Sequence, residues 1–300
     1  MIAYLAPEKF LPELQAELKN ITAVHGNLVL TDGPIQTSVW AQNIWTNAEI
    51  IPFESISQAV KALKSRGLLW ACYSFDHHRR AQLIQDQLPK LRPRVMNFLS
   101  DLPKDPLGAW TLIDKNTMVV SNTTNSLFPL GEVAFNEDKE NPPSRAYLKL
   151  WELFTVYGVK PSKGQRVVDF GSCPGGWTWV LQQIGCEVVS IDRAPLDEKV
   201  ARLPRIEFIK TNAFTVKPAN IGAIDWFFSD IICYPAKLLE LVLEWQRSGL
   251  CQNFVCTIKF QGGTDFETLK KFQELENAHV VHLHHNKHEV TVWIRKSSKN

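Results

Sequence analysis

The stretch Val167-Val168-Asp169-Phe170-Gly171-Ser172-Cys173-Pro174-Gly175-Gly176-Trp177-Thr178 decides how the C-terminal half of this chain is read. An apolar run ends on an acid, passes into a glycine-rich turn, and resumes as a helix-forming segment. Gly171, Gly175 and Gly176 permit a tight turn and let a ligand approach the backbone. In open α/β sheets the ligand crevice lies beyond the carboxyl ends of the strands, which is where this turn falls. Asp192 closes the next apolar run, a position from which an acid accepts hydrogen bonds from ribose hydroxyls.

On both sides of this stretch the pattern is regular. The spacing predicts a helix capped by Ser144 and running through Tyr157, with Leu148, Trp151 and Phe154 as apolar contacts. Strands follow at Arg166–Asp169, Glu187–Asp192, Ile206–Lys210, Trp226–Ser229 and Asn253–Lys259. Helices are predicted from about Gly176, over Ala236–Arg247 and over Phe266–Leu275. Repeated βα units with apolar strands imply a mostly parallel sheet covered by helices on both faces. The last two strands, His279–Leu283 and Glu289–Ile294, are too close for a helical crossover and should form an antiparallel edge pair. The expectation is an α/β, Rossmann-like sheet ending in an antiparallel hairpin.

The segment Phe135-Asn136-Glu137-Asp138-Lys139-Glu140-Asn141-Pro142-Pro143 is charged and proline-terminated, as an exposed linker would be. Domains are therefore expected over residues 1–135 and 144–300, joined by a linker at 136–143. The first half mixes strands (Met1–Leu5, Ala23–Leu30, Leu69–Phe75, one or two within Trp110–Ser121) with helices (Pro7–Lys19, Ser55–Lys64, Arg79–Gln87), a small α+β domain without a catalytic signature of its own.

Composition excludes several classes. With 45% hydrophobic and 21% charged residues the chain is neither disordered nor fibrous. Its apolar runs are too short for a membrane span, and Met1–Phe10 has no signal-peptide pattern. The six cysteines lack C-x-x-C spacing, which points away from zinc and disulfides and towards a reduced, cytoplasmic setting. A net charge of +2 says little, but Lys61, Lys64, Arg66, Arg79 and Arg80 open a locally basic stretch that an RNA-facing surface would show. A solvated helix face explains them equally well.

The turn also discriminates between cofactors. Pro174 breaks the G-x-G-x-x-G form of a pyrophosphate cradle, and Asp169 suits an ammonium group better than a phosphate, which favours S-adenosyl-L-methionine over NAD. Asp-Phe-Gly-Ser-Cys-Pro-Gly-Gly-Trp-Thr resembles motif I of the FtsJ-type ribose 2′-O-methyltransferases. Ser121-Asn122 with Leu127-Phe128-Pro129-Leu130-Gly131, and Pro143-Ser144-Arg145-Ala146-Tyr147-Leu148-Lys149-Leu150, are similar more particularly to the ribosomal RNA large subunit methyltransferase M family. So are Ser229-Asp230-Ile231-Ile232-Cys233-Tyr234-Pro235-Ala236-Lys237 and Glu289-Val290-Thr291-Val292-Trp293-Ile294-Arg295. The likeness is dense from about Ser121 to Arg295 and faint before it.

That resemblance implies a ferredoxin-like and THUMP-like RNA-binding N-terminal domain, here shortened, and methylation of a cytidine ribose in 23S rRNA or its precursor. It also implies a catalytic Lys-Asp-Lys-Glu set at Lys149, Asp230, Lys259 and Glu289. Lys259 is the expected base, with Lys149 as the neighbouring cation. A lysine serves as base only when its pKa is lowered, and a carboxylate touching it opposes that. The implied cofactor residues are Ser144, Gly171, Ser172, Cys173, Pro174, Gly175, Gly176, Trp177, Asp192, Asn212 and Asp230. Asn212 departs from the aspartate usual in relatives, although its side-chain carbonyl can still accept from an adenine amino group.

Arg145 is a candidate phosphate contact. His282, His284, His285 and His288 invite a metal, but a solvated or RNA-facing hairpin tip fits better, and no metal or membrane partner is expected. The alternatives are a non-catalytic protein binding cofactor and RNA, or the same chemistry on another structured RNA. An NAD-dependent oxidoreductase is rejected, since it has no use for four converging charges.

Overall fold

The computed structural model describes residues 1–92 and 94–296, so the stretch 297–300 of the expected second domain lies outside the described residues. The chain divides into two compact units, Met1–Asn136 and Glu137–Asn300. Residues 137–143 group with the second unit: Glu137 pairs with Arg145 at 2.8 Å, and the Asp138 carbonyl accepts from the Tyr147 hydroxyl at 3.0 Å.

The first unit contains β1 (Ile2–Leu5), α1 (Leu11–Glu17), β2 (Ile21–His25), β3 (Leu28–Thr31), β4 (Asn43–Trp45), β5 (Glu49–Pro52), α2 (Ile56–Lys64), β6 (Trp70–Cys72), α3 (His78–Gln85), β7 (Gly108–Leu112) and β8 (Thr117–Ser121). They form two four-stranded sheets, ordered β2-β3-β1-β4 and β5-β8-β7-β6. Only β6 and β7 run parallel. Ser55 starts α2 by accepting from the Gln58 amide, and Ala59, Val60 and Leu63 turn inward. They meet Trp70, Ile84 and Trp110 in a core between α2, α3 and the second sheet. The opposite face of that sheet, through Ala109 and Val119, packs on Ala3, Leu5, Leu28 and Trp45 of the first sheet. The unit is α+β, but neither sheet has the βαββαβ element order of a ferredoxin-like segment. The single strand expected over Ala23–Leu30 is a hairpin, because Gly26 and Asn27 turn the chain between β2 and β3.

The second unit contains α4 (Tyr147–Val156), β9 (Arg166–Phe170), α5 (Gly176–Gln183), β10 (Glu187–Asp192), α6 (Glu198–Ala201), β11 (Ile206–Lys210), α7 (Pro218–Ile221), β12 (Trp226–Ser229), α8 (Pro235–Ser248), β13 (Phe254–Lys259), α9 (Phe266–Gln273), β14 (Ala278–Val281) and β15 (Glu289–Ile294). The strands build one seven-stranded sheet in the order β11-β10-β9-β12-β13-β15-β14. The five strands from β11 to β13 are parallel, while β15 and β14 are antiparallel at one edge. This is the expected Rossmann-like α/β sheet ending in an antiparallel edge pair. The chain runs outward from β9 to β11, then returns to the other side of β9 as β12. The switch point therefore lies between the carboxyl ends of β9 and β12, where open α/β sheets hold their ligands.

Helix α4 is buried from Tyr147 to Thr155, as a helix apolar almost all round should be. It begins at Tyr147 with Ala146 at its N-cap, so Ser144 does not cap it. Among the described residues no helix is long and apolar enough to cross a membrane.

Candidate active site

Four charged side chains meet at the carboxyl edge of the sheet. Lys149 comes from α4, Asp230 follows β12, and Lys259 and Glu289 are cross-strand partners where β13 ends and β15 begins. The Lys149 Nζ donates to Asp230 Oδ1 at 2.6 Å and to Glu289 Oε1 at 3.1 Å. The Lys259 Nζ lies 2.8 Å from the same Asp230 oxygen and 3.3 Å from Glu289 Oε2. Two cations and two anions thus close into an electroneutral quartet. Lys149 is 5% and Glu289 7% exposed, so isolated charges here would carry a large desolvation cost that the pairing offsets.

The charges fix one another. Burial favours the neutral form of Lys259, but the Asp230 and Glu289 carboxylates outweigh it and raise its pKa above the ordinary lysine value of 10.5. Burial likewise opposes ionisation of Asp230, yet Lys149 and Lys259 outweigh it and hold that carboxyl below its ordinary range. The lowered pKa expected of a lysine base is therefore absent in this state, because both neighbours that position Lys259 also stabilise its ammonium.

Sequence inspection missed how the quartet is held. Glu152, one turn beyond Lys149 on α4, is buried. Its Oε1 accepts from the His284 amide at 2.8 Å, and its Oε2 from the His285 amide at 3.0 Å, with His285 Nδ1 2.7 Å away. The buried Asn286 accepts from the Leu283 amide and the Thr291 hydroxyl, and its amide donates to Glu289 Oε1 at 3.4 Å. The histidine-rich loop is thus clamped to α4: His282 is buried, which lowers its pKa, while His284 is exposed at the tip. Among the described residues no group of three or more His, Cys, Asp or Glu is placed to hold a metal. Two charged residues inside an otherwise apolar helix, Lys149 and Glu152, were the visible trace of this arrangement.

Beside the quartet lies a cavity of about 620 Å³, with Gly171, Cys173, Asp192, Asn212, Asp230 and Lys259 in its wall. Gly171 has φ 77°, and a Cβ there would come within 2.7 Å of the Ile231 Cα, so only glycine lets the two strand ends close. Gly176 opens α5 against Ser144, whose Oγ would lie 2.7 Å from a Cβ at that position. Asp192 braces the loop by accepting from the Cys173 amide at 3.0 Å and the Ala194 amide at 2.9 Å.

Asp169 is fully buried, and its Oδ2 accepts from the Thr178 hydroxyl at 2.7 Å. Its Oδ1, the Ser172 Oγ and the Ser144 Oγ are buried without a hydrogen-bond partner. Burial raises the Asp169 pKa to about 7, with the Thr178 hydroxyl pulling the other way.

The remaining sequence candidates fall elsewhere. Ser144, Ser172, Pro174, Gly175, Gly176 and Trp177 are outside the cavity wall. Trp177 donates to the Ala146 carbonyl at 3.0 Å and places its ring 5.7 Å from the Lys149 Nζ, so it supports the quartet. Asn212 spends its carbonyl on the Phe214 amide at 3.3 Å, which starts a short 3₁₀ turn. Arg145 is engaged by Glu137. In the first unit Arg66 pairs with Glu49 at 3.2 Å and Arg80 lies over the Phe53 ring, whereas Lys61, Lys64 and Arg79 are exposed.

Several known proteins are similar to this chain. Residues 142–294 match the model of the FtsJ-like methyltransferases. The ribosomal RNA large subunit methyltransferase M of Halorhodospira halophila is 31% identical over 169 residues, covering 53% of this chain and 49% of its own. The protein of the same name from Xanthomonas oryzae pv. oryzae is 33% identical over 230 residues, 71% of this chain and 62% of its own. This chain thus spans about half to three-fifths of the relatives it matches. A ribosomal RNA methyltransferase from Plasmodium falciparum superposes with a TM-score of 0.40 at 18% identity, over 51% of this chain and 97% of its own.

Proposed function

This chain belongs to the FtsJ-like methyltransferase family, and from that premise we propose that it transfers a methyl group from S-adenosyl-L-methionine to a ribose 2′-hydroxyl of ribosomal RNA in the cytoplasm. The specific target proposed is a cytidine of 23S rRNA or its precursor. The observation that carries this reading is the quartet of Lys149, Asp230, Lys259 and Glu289 set against a cavity of about 620 Å³.

The residues around the glycine turn fit the cofactor. Asp169, with one buried unpartnered oxygen, suits an ammonium group, and Ser172 in the same turn and Ser144 against Gly176 likewise carry buried hydroxyls without a partner. Asp192 has carboxylate lone pairs left for ribose hydroxyls, and Asn212 a side-chain amide for the adenine edge. When bound, S-adenosyl-L-methionine supplies an electrophilic methyl group on a cationic sulfonium, a like charge that opposes the raised pKa of Lys259.

The chain's own residues do the rest. Asp230 and Glu289 fix the Lys259 Nζ at the cavity wall, where, once neutral, it accepts the proton of the attacking 2′-hydroxyl. Lys149 completes the charge balance from behind. Much of the acceleration comes from holding hydroxyl and methyl group in line. In the first unit the exposed Lys61, Lys64 and Arg79 supply RNA phosphate contacts, the role a THUMP-like domain would have.

The test is methyl transfer from labelled cofactor to total RNA of a strain lacking this gene, followed by mapping of 2′-O-methylated nucleotides. One labelled cytidine in 23S rRNA is the expected result. Label on a different ribose would keep the chemistry and discard the target. Cofactor binding without transfer to any RNA would leave a non-catalytic binding protein.

A further inference from the structure

The loop that carries Asp230 exposes more apolar surface than its position requires. Ile232 is 76% and Tyr234 65% exposed, while Cys233 and Pro235 between and after them are buried. The alternation is that of an extended segment with one face turned in and the other out. Ile232, Cys233 and Tyr234 belong to the connection between β12 and α8, and Pro235 at the start of α8 fixes its end. Neighbouring large apolar side chains exposed beside a cavity mark a contact surface rather than ordinary surface scatter.

The surroundings define the contact. Ile231, Ile232 and Tyr234 are part of the same cavity wall as Asp230 and Lys259. Lys237, one turn into α8, is exposed and lies 4.0 Å from the Phe214 ring centroid. Arg193 and Gln261 stand in the wall as well. An exposed aromatic ring, an aliphatic neighbour and nearby cations, all adjoining the amine that faces the reaction, form the surface a single-stranded nucleotide recognises. Bases stack on aromatic side chains, and phosphates pair with lysine or arginine.

Resting on the ribose-methyltransferase reading, we propose that Tyr234, backed by Ile232, is the platform on which the base of the target nucleotide docks, so that its ribose is presented to Lys259. Such a platform is tolerant of base identity, because every base has a π-face. Tyr234 therefore sets the position of the nucleotide, while the choice of RNA is made by other contacts.

The experiment uses the full chain with an unmodified 23S rRNA transcript as probe, and S-adenosylhomocysteine for calorimetric titration. Tyr234→Ala should lower kcat/KM for the transcript by about tenfold or more, the loss of one base–aromatic stack. Its affinity for S-adenosylhomocysteine should stay within about twofold, and Tyr234→Phe should retain nearly full transfer. The platform is overturned if Tyr234→Ala transfers as well as wild type. It is equally overturned if the variant loses S-adenosylhomocysteine affinity with an unchanged KM for RNA, since Tyr234 would then be a wall of the cofactor pocket. No transfer by the wild-type chain to this transcript or to total RNA would sink the ribose-methyltransferase reading, and the platform with it.

Discussion

Two parts of the second unit, the charged quartet and the glycine turn, handle buried polarity in opposite ways. In the quartet, all four charged groups have partners within 3.3 Å. In the glycine turn, Asp169 Oδ1, Ser172 Oγ and Ser144 Oγ are buried with none. The first arrangement is complete within the protein and holds its geometry before any ligand arrives. The second leaves polar groups desolvated, which costs stability in the unliganded chain and is recovered when a ligand supplies the missing partners. Chemistry and binding are thus separable in this molecule, and substitutions in the two parts should fail differently.

The largest effect is expected at Lys259. Lys259→Ala should reduce methyl transfer by about 10²- to 10⁴-fold, the usual contribution of a general base, with S-adenosylhomocysteine affinity within a few fold by calorimetry. Equal loss of both would merge the two parts into one. The same lysine predicts the pH response of the wild type. Its pKa is raised above 10.5, so the free enzyme carries the ammonium through neutral pH and gains base only as pH rises. The kcat/KM should therefore climb with pH across the alkaline range, and a plateau near neutrality would remove Lys259 as the base of the free enzyme.

Lys149→Ala should come next. It leaves two buried carboxylates facing one lysine, and losing one partner of a buried pair costs about 3–5 kcal/mol. Chemical denaturation would show this as a lower midpoint at unchanged slope. Adding Glu289→Gln to Lys149→Ala should restore part of the loss, because no uncompensated charge remains. If the double variant is no better than the single, charge balance is not what stabilises the quartet.

The smallest effect has the opposite sign. Asp169 has a folded pKa of about 7 against an ordinary 3.8, so the native state favours its proton. The stability that this proton confers is complete below pH 3.8 and disappears as pH rises through 7. At pH 8 Asp169→Asn should therefore raise the melting temperature, by about 2–4 °C for each kcal/mol recovered, while weakening cofactor binding. A variant that melts lower and binds normally would show that Asp169 is a structural acid.

The same contrast explains what was legible in the sequence. Strands β10, β11, β12 and β15 fall at the predicted residues, and the central β12 shows why: a parallel strand buried on both faces needs an unbroken apolar run. The quartet was legible only through motif resemblance, since no local pattern states that Lys149 and Glu289 touch across a separation of 140 residues. Glu152 was missed for the same reason: its partners are backbone amides of a loop 132 residues away, and amides leave no mark on sequence. In the first unit β4 and β5 went unseen because each has only three or four residues, too few for alternation to show. The histidines were expected at a solvated or RNA-facing tip rather than on a metal, and His284 is exposed there, but the clamp of the loop's main chain onto Glu152 left no mark in the sequence.

One feature of the sheet also bears on the order in which the molecule is built. Strand β15 lies between β13 and β14, so the strand that seats Glu289 against Lys259 is also the one that ties the last strand to the sheet. Until Glu289 is seated, the site holds Lys149, Lys259 and a single carboxylate, a surplus positive charge that resists leaving water. Closure of the sheet edge and neutralisation of that charge are therefore one event.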